Sequence, residues 1–192
     1  PATGGTTGVE DPNTGTGICV TPHGGFVPGI TLGVSPVDAQ GYVLDAWGQR
    51  IRYAVTTANS NAFTKPGQMR TTTMSTLDPD LRICSTGATM DQPGIPGSAN
   101  CHSDGTTNTL TNKAIVVVYS LGRNGSSGGT GLDERNNPNE ISGGPYFVTA
   151  DRAFVSHNPE PAGTPNGEFD DIVIWLSPNI LFNRMIAAGQ LP

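Results

Sequence analysis

The 192-residue sequence predicts an α+β fold: an antiparallel β-sheet of four or five short strands, long irregular loops, and one short helix near the C-terminus. Three observations predict it. Apolar residues come in short runs or in period-2 alternation, the pattern of strands. Glycine occurs 26 times and proline 16 times, which leaves little room for long elements. Helix start and stop signals bracket a single stretch, residues 180–188. The length fits one domain spanning 1–192.

Taken in order, residues 1–25 carry no helical or strand period and read as an irregular lead-in. Glu10, Asp11 and Asn13 match no EF-hand spacing and read as a solvated turn. Residues 26–34 form a short apolar segment broken by Pro28 and Gly29, enough to cover part of a core. In residues 45–55, Trp47-Gly48 reads as a turn with an aromatic lid. Ile51, Tyr53 and Val55 then alternate with Arg50 and Arg52, as in a half-buried strand. Residues 56–112 are a polar excursion too long to be structureless, so short strands are expected within it.

Residues 114–120 are apolar on both faces, as expected of a central strand covered on both sides. Residues 146–148 and 153–155 flank a polar turn and read as a hairpin. Residues 157–168 are a connector rich in Pro and Gly, and 169–176 form another strand. Ser177 is an N-cap followed by Pro178 at N1, and Gly189 stops the helix. One helix is too few for an α/β chain, and part of one sheet face lacks a partner in these residues.

Composition narrows the function classes. Charged residues are 14%, against roughly 25% in ordinary soluble domains, and Thr, Ser and Asn supply the polarity, which points to an exported protein. A net charge of −6 gives no basic footprint for a phosphate backbone, so no nucleic-acid partner is expected. No run approaches the roughly 18 apolar residues of a membrane span, and the succession of a signal peptide is missing.

The three cysteines, Cys19, Cys84 and Cys101, form no CxxC pair, which removes zinc-ribbon and thioredoxin-like readings. Cys84 and Cys101 bracket a loop with little to pack. A bridge there would stabilise the fold by about 3 kcal/mol and imply an oxidising compartment. Two buried thiols are the alternative. Cys19 is then free or bonded to a residue upstream of Pro1.

The chemistry gathers in residues 121–135, a glycine-rich loop that follows the central strand and ends on adjacent carboxylates. It lacks the Gly-Lys-Ser/Thr ending of a phosphate loop, and its acids would repel phosphate. Gly125-Ser126-Ser127-Gly128-Gly129 formally satisfies G-x-S-x-G, but no strand-to-helix elbow surrounds Ser127. No catalytic residue is therefore expected, and the chain does not read as an enzyme. His23, His102 and His157 all lie in polar loops and read as exposed. Asn124, Asp133 and Glu134 offer hard oxygens in a loop whose carbonyls can turn inward, as calcium requires. An acidic loop held by its own turns is the other reading, and residue types leave the two open. Asp170-Asp171 reads as structural, within reach of Arg50 or Arg52.

Four blocks carry a family resemblance. LDAWGQRIRYAV, with Asp45, Trp47, Gly48 and Tyr53, resembles the D-x-WG-x-x-x-x-Y motif of type II secretion pseudopilins and type IV pilin-like proteins. YSLGRNGSSGGTGLDE is similar to their strand and glycine-rich loop, and GFVPGITLGV and FDDIVIWLSPNILFNRMIAAGQLP resemble prepilin-like proteins. The match touches most of the chain except 56–112.

The resemblance implies a pilin-like headgroup and a structural subunit of a type IV pilus or type II secretion filament. It implies a basic leader and an apolar N-terminal helix outside these residues. The helix anchors the subunit in the inner membrane with a periplasmic headgroup, then packs with other subunits in the filament or at the cell surface. It also implies a calcium site: Leu121 or Ser120 through oxygen, Asn124 where an Asp is common, then Asp133 and Glu134. Arg135 stands where an acid is expected. An extracellular adhesin or binding module with a calcium-ordered loop is the alternative function.

Overall fold

The computed structural model describes residues 8–10, 15–87, 101, 108–127, 129, 131–137 and 152–191. Asp11, Asn13, His102, Gly128 and the first arm of the expected hairpin, 146–148, lie outside the described residues. The elements in chain order are β1 (Gly25–Phe26), α1 (Gly29–Leu32), β2 (Arg52–Val55), α2 (Ala58–Asn61), α3 (Gln68–Thr71), β3 (Leu81–Cys84), β4 (Thr109–Ala114), β5 (Val116–Ser120), β6 (Ala153–Val155), β7 (Ile172–Leu176) and α4 (Pro178–Ala187). Single 3₁₀ turns add Met74–Thr76 and Glu134–Asn136. This is an α+β arrangement with few helices. No described helix is long and apolar enough to cross a membrane.

Where one antiparallel sheet was expected, there are two. The first, in the order β1-β2-β5-β7, is antiparallel throughout. The second, β4-β3-β6, is mixed: β3 pairs antiparallel with β4 and parallel with β6. The strand expected at 114–120 is the junction between them. Ala114 pairs with Leu81 in the second sheet, while Val116 pairs with both Val55 and Leu176 in the first. Residues 153–155 form a strand, but their partner is β3, which is drawn from the polar excursion.

The two sheets pack face to face. Ala54, Val117, Tyr119 and Val173 from the first meet Leu81, Ile83, Ala114 and Phe154 from the second. The rings of Tyr119 and Phe154 are tilted at 5.3 Å between centroids. Burying a side chain such as Ile83 or Phe154 stabilises the fold by about 1.5–3 kcal/mol. Cys84 and Cys101 lie at disulfide distance, with Cα atoms 5.1 Å apart, beside Ala153, Val155 and Phe169. Cys19 is free.

Strand alternation puts Tyr53, Val118 and Ile174 in one cross-strand row on the other face of the first sheet, flanked by Ile172, Val116 and Leu176. Ile172 is 52% exposed and Ile174 61%. Val55 and Ser120 are the covered members of this face. The central strand is thus buried on one side and only half-covered on the other, where Val116 and Val118 are half-buried and the exposed residues are Ile172 and Ile174 of β7, whereas its sequence reads as covered on both.

The same alternation reverses the reading of β2. It is a strand, but Arg52 and Ala54 face the interior, and Tyr53 lies half-buried on the open face. Burial pushes the Tyr53 phenol up to about 12, and charge on the neighbouring Cys19 sulfur adds to the shift.

The Asp45 turn before β2 is held by its own carboxylate. Oδ1 accepts from the Trp47 and Gln49 amides at 2.9 and 2.8 Å, and Ser120 Oγ donates to Oδ2. Gly48 sits at φ 79°, in the left-handed region. Trp47 is 44% exposed, so it does not act as a lid.

Helix α4 forms where its caps predict. Ser177 Oγ accepts from the Ile180 amide, Pro178 stands at the first helical position, and Gly189 follows with φ 65°. Leu181, Phe182 and Met185 pack on Ala62, Met69, Leu77 and Leu191, a small second core beneath the excursion.

Candidate metal centre

Three carboxylates from two distant parts of the chain converge beside the glycine-rich loop. Glu134 opens the 3₁₀ turn that ends this loop, and Asp170 and Asp171 lie just before β7. One oxygen of each lies within 4.8 Å of the others. Glu134 and Asp171 are 2% and 5% exposed.

The donors around them are mostly neutral. Asn124 Nδ2 donates to both Glu134 oxygens at 3.1 and 3.2 Å, the Gly131 amide to Oε2 at 3.2 Å, and the Asp170 amide to Oε1 at 3.1 Å. Asn137 Nδ2 donates to Asp171 Oδ2 at 2.7 Å, and the Arg123 amide to Asp170 Oδ2 at 3.0 Å. The guanidinium of Arg123 turns to Glu168, 3.5 Å away.

Two buried oxygens, Asp170 Oδ1 and Asn124 Oδ1, have no hydrogen-bond partner. Burial, opposed by the Asn137 hydrogen bond and reinforced by the charges of Glu134 and Asp170, pushes Asp171 up to about 7. Burial also raises Asp170, and the Glu134 and Glu168 charges add to it.

The glycines explain how the loop gets this close. Gly122 has φ 63°, and a Cβ there would lie 1.9 Å from Asp170 Oδ1. Gly129 has φ 71°, and a Cβ there would lie 2.4 Å from Glu134 Oε2. Both positions need the left-handed backbone and the missing side chain together.

The structure divides the residues singled out in the sequence. Glu134 and Asn124 meet, and Leu121 is buried at the start of the loop. Asp133 belongs to a different network. Its Oδ1 accepts from Thr86 Oγ1 at 3.0 Å and the Gly87 amide at 2.5 Å, and its Oδ2 meets Asn166 Nδ2 and His157 Nε2, both at 3.1 Å. His157 stacks on Phe169 at 3.9 Å. It is therefore not solvent-facing as its sequence context suggests, and its ring is engaged by Asp133 and Asn158. Ser127 Oγ donates to Asn124 O.

Asp170 and Asp171 do not meet Arg50 or Arg52 as expected. Arg50 pairs with Asp38 at 2.6 Å, and Arg52 donates to Gly24 O. Their place beside Glu134, 36 residues away, has no local sequence signal beyond the rarity of paired acids leading into an apolar strand.

The donor set suits a hard cation. Among the described residues it is three carboxylates, with no sulfur or imidazole in the cluster. An ion bound there would supply positive charge to the cluster and would tie the loop to the start of β7. The chain matches no family model, no curated protein and no solved structure.

Proposed function

We propose that this chain is the globular headgroup of a pilin-like filament subunit, a pilin or pseudopilin, whose first sheet is seated on an apolar helix that precedes Pro1. The observation that carries the reading is the open face of that sheet. A row of Tyr53, Val118 and Ile174, bordered by Ile172, Val116 and Leu176, lies on the side away from the second sheet. An apolar sheet face of this kind is normally covered, and an apolar helix is the cover the resemblance implies. The D-x-WG turn and the glycine-rich loop border the same sheet.

The role is structural: the headgroup presents surface and the helix anchors and polymerises. Calcium is the ion proposed for Glu134, Asp170 and Asp171, with Asn124 Oδ1 turned inward by a half-rotation of its amide and Leu121 contributing through its carbonyl. Six to eight oxygen ligands at flexible angles suit a loop rich in glycine.

Two experiments test the reading. The coding sequence upstream of Pro1 should contain an apolar stretch of about 20 residues behind a short basic leader; its absence refutes the filament role. Thermal melts in calcium and in chelator test the ion. At calcium about 100-fold above Kd the fold should gain about 2.7 kcal/mol, and coincident melts remove calcium from the proposal.

A further inference from the structure

The inward arginine of β2 stands over a pocket apart from the three carboxylates. Arg52 is 8% exposed. Among the described residues its one hydrogen bond is from Nη1 to Gly24 O at 3.3 Å, and its guanidinium lies 5.0 Å from the centre of the Phe26 ring. No described carboxylate lies within ion-pair distance of it.

Four other cations contrast with it: Arg50 pairs with Asp38, Arg152 with Asp80, Lys113 with Asp78 and Arg123 with Glu168. Arg70 and Arg184, which have no such pair among the described residues, are exposed where Arg52 is buried. Arginine cannot shed its proton at any ordinary pH, so burial leaves a full positive charge that needs an anion. The five donors of its fork have one acceptor among the described residues.

The pocket beside it has a volume of about 370 Å³. Phe26 and Leu121 form apolar walls, and Gln49, Arg50 and Ser126 bring polar groups to the rim. Because Asp38 neutralises Arg50, the pocket has one uncompensated positive charge beside apolar walls. That combination fits a singly charged, planar anion on a short carbon stem.

We propose that this pocket is a carboxylate-binding site built on Arg52. A guanidinium fork matches a carboxylate bidentately. The single spare charge and the chain's net charge of −6 disfavour a dianion such as phosphate. The carboxylate is either that of a small organic acid or an acidic side chain of a second copy, since the chain carries 16 Asp and Glu. The site does not depend on the filament reading or on the cation.

The test uses the full 192-residue protein, with ionic strength held by chloride. Acetate is titrated while the amides of Phe26, Arg52, Leu121 and Ser126 are followed by NMR. Saturable shifts are expected in wild type, weakened at least about tenfold in Arg52→Gln and less in Arg52→Lys, as loss of a charged hydrogen-bond partner implies. Sedimentation velocity separates the sources: concentration-dependent association that acetate dissolves and Arg52→Gln abolishes assigns the carboxylate to a second copy, and a monomer that binds acetate assigns it to a small acid.

If Arg52→Gln does not fold, the wild-type titration and Ser126→Ala, which should weaken binding mildly, still decide. Three results overturn the proposal: no shift at these amides up to about 0.1 M acetate, far above an ordinary millimolar Kd; equal binding by folded Arg52→Gln; or inorganic phosphate bound more tightly than acetate.

Discussion

At the scale of single residues, Asp171 carries the sharpest consequence. Its folded pKa, about 7, lies above the ordinary 3.8. Between those values the folded chain holds a proton that the unfolded chain releases. Stability must therefore fall as pH rises through this window and level off above the folded pKa. In chelator the loss should be on the order of a few kcal/mol between about pH 4 and 7.5. Melting midpoints measured with chelator across that range check it. With calcium bound the carboxylate is compensated, and the loss should shrink. Asp171→Asn separates the two effects, because its amide oxygen can still accept from Asn137 while its charge is gone. The variant should melt higher than wild type in chelator at neutral pH and should not respond to calcium. A variant that still gains stability from calcium would take Asp171 out of the ion's shell.

At the scale of elements, the loop and the strand that follows it form one device. Gly129→Ala adds a Cβ 2.4 Å from Glu134 Oε2, at a φ of 71° that L side chains rarely adopt. The strain costs about 1–2 kcal/mol, and displacing Glu134 should weaken calcium by more than it weakens the fold. Calorimetric titration of the variant checks this, and unchanged affinity would show that Glu134 is not a ligand. The elements also show what could be read from the chain. Helix α4 is legible because its caps are local: Ser177, Pro178 and Gly189 act within one turn of its ends. The glycine loop and Glu134 are legible as composition. Asp170 and Asp171 are not, because what joins them to Glu134 is a tertiary contact made only when β5 and β7 pair. The inward turn of Arg52 is hidden for a related reason. Alternation gives two faces but does not say which is covered, and here the second sheet lies over the arginine side.

At the scale of the molecule, two features separate stability from assembly. Joining Cys84 to Cys101 closes a loop with a sequence separation of 17 and should contribute about 3 kcal/mol. Reduction, or paired Cys84→Ser and Cys101→Ser, should therefore lower the midpoint by roughly 6–12 °C at this chain length, as a calorimetric scan would register. The open sheet face should behave the opposite way. Ile174 is 61% exposed and contributes little to the core. Ile174→Glu should thus shift headgroup stability by no more than about 0.5 kcal/mol. If the proposed apolar helix seats on this face, the same carboxylate would lie between two apolar surfaces at a desolvation cost of several kcal/mol. Filament pelleting should then fall sharply while the isolated headgroup melts as before. Ile174 is the discriminating position, because it is the most exposed member of its row, where Tyr53 and Val118 are half-buried. Normal filament yield from Ile174→Glu would mean that the helix seats elsewhere, and the open face would then belong to a different partner.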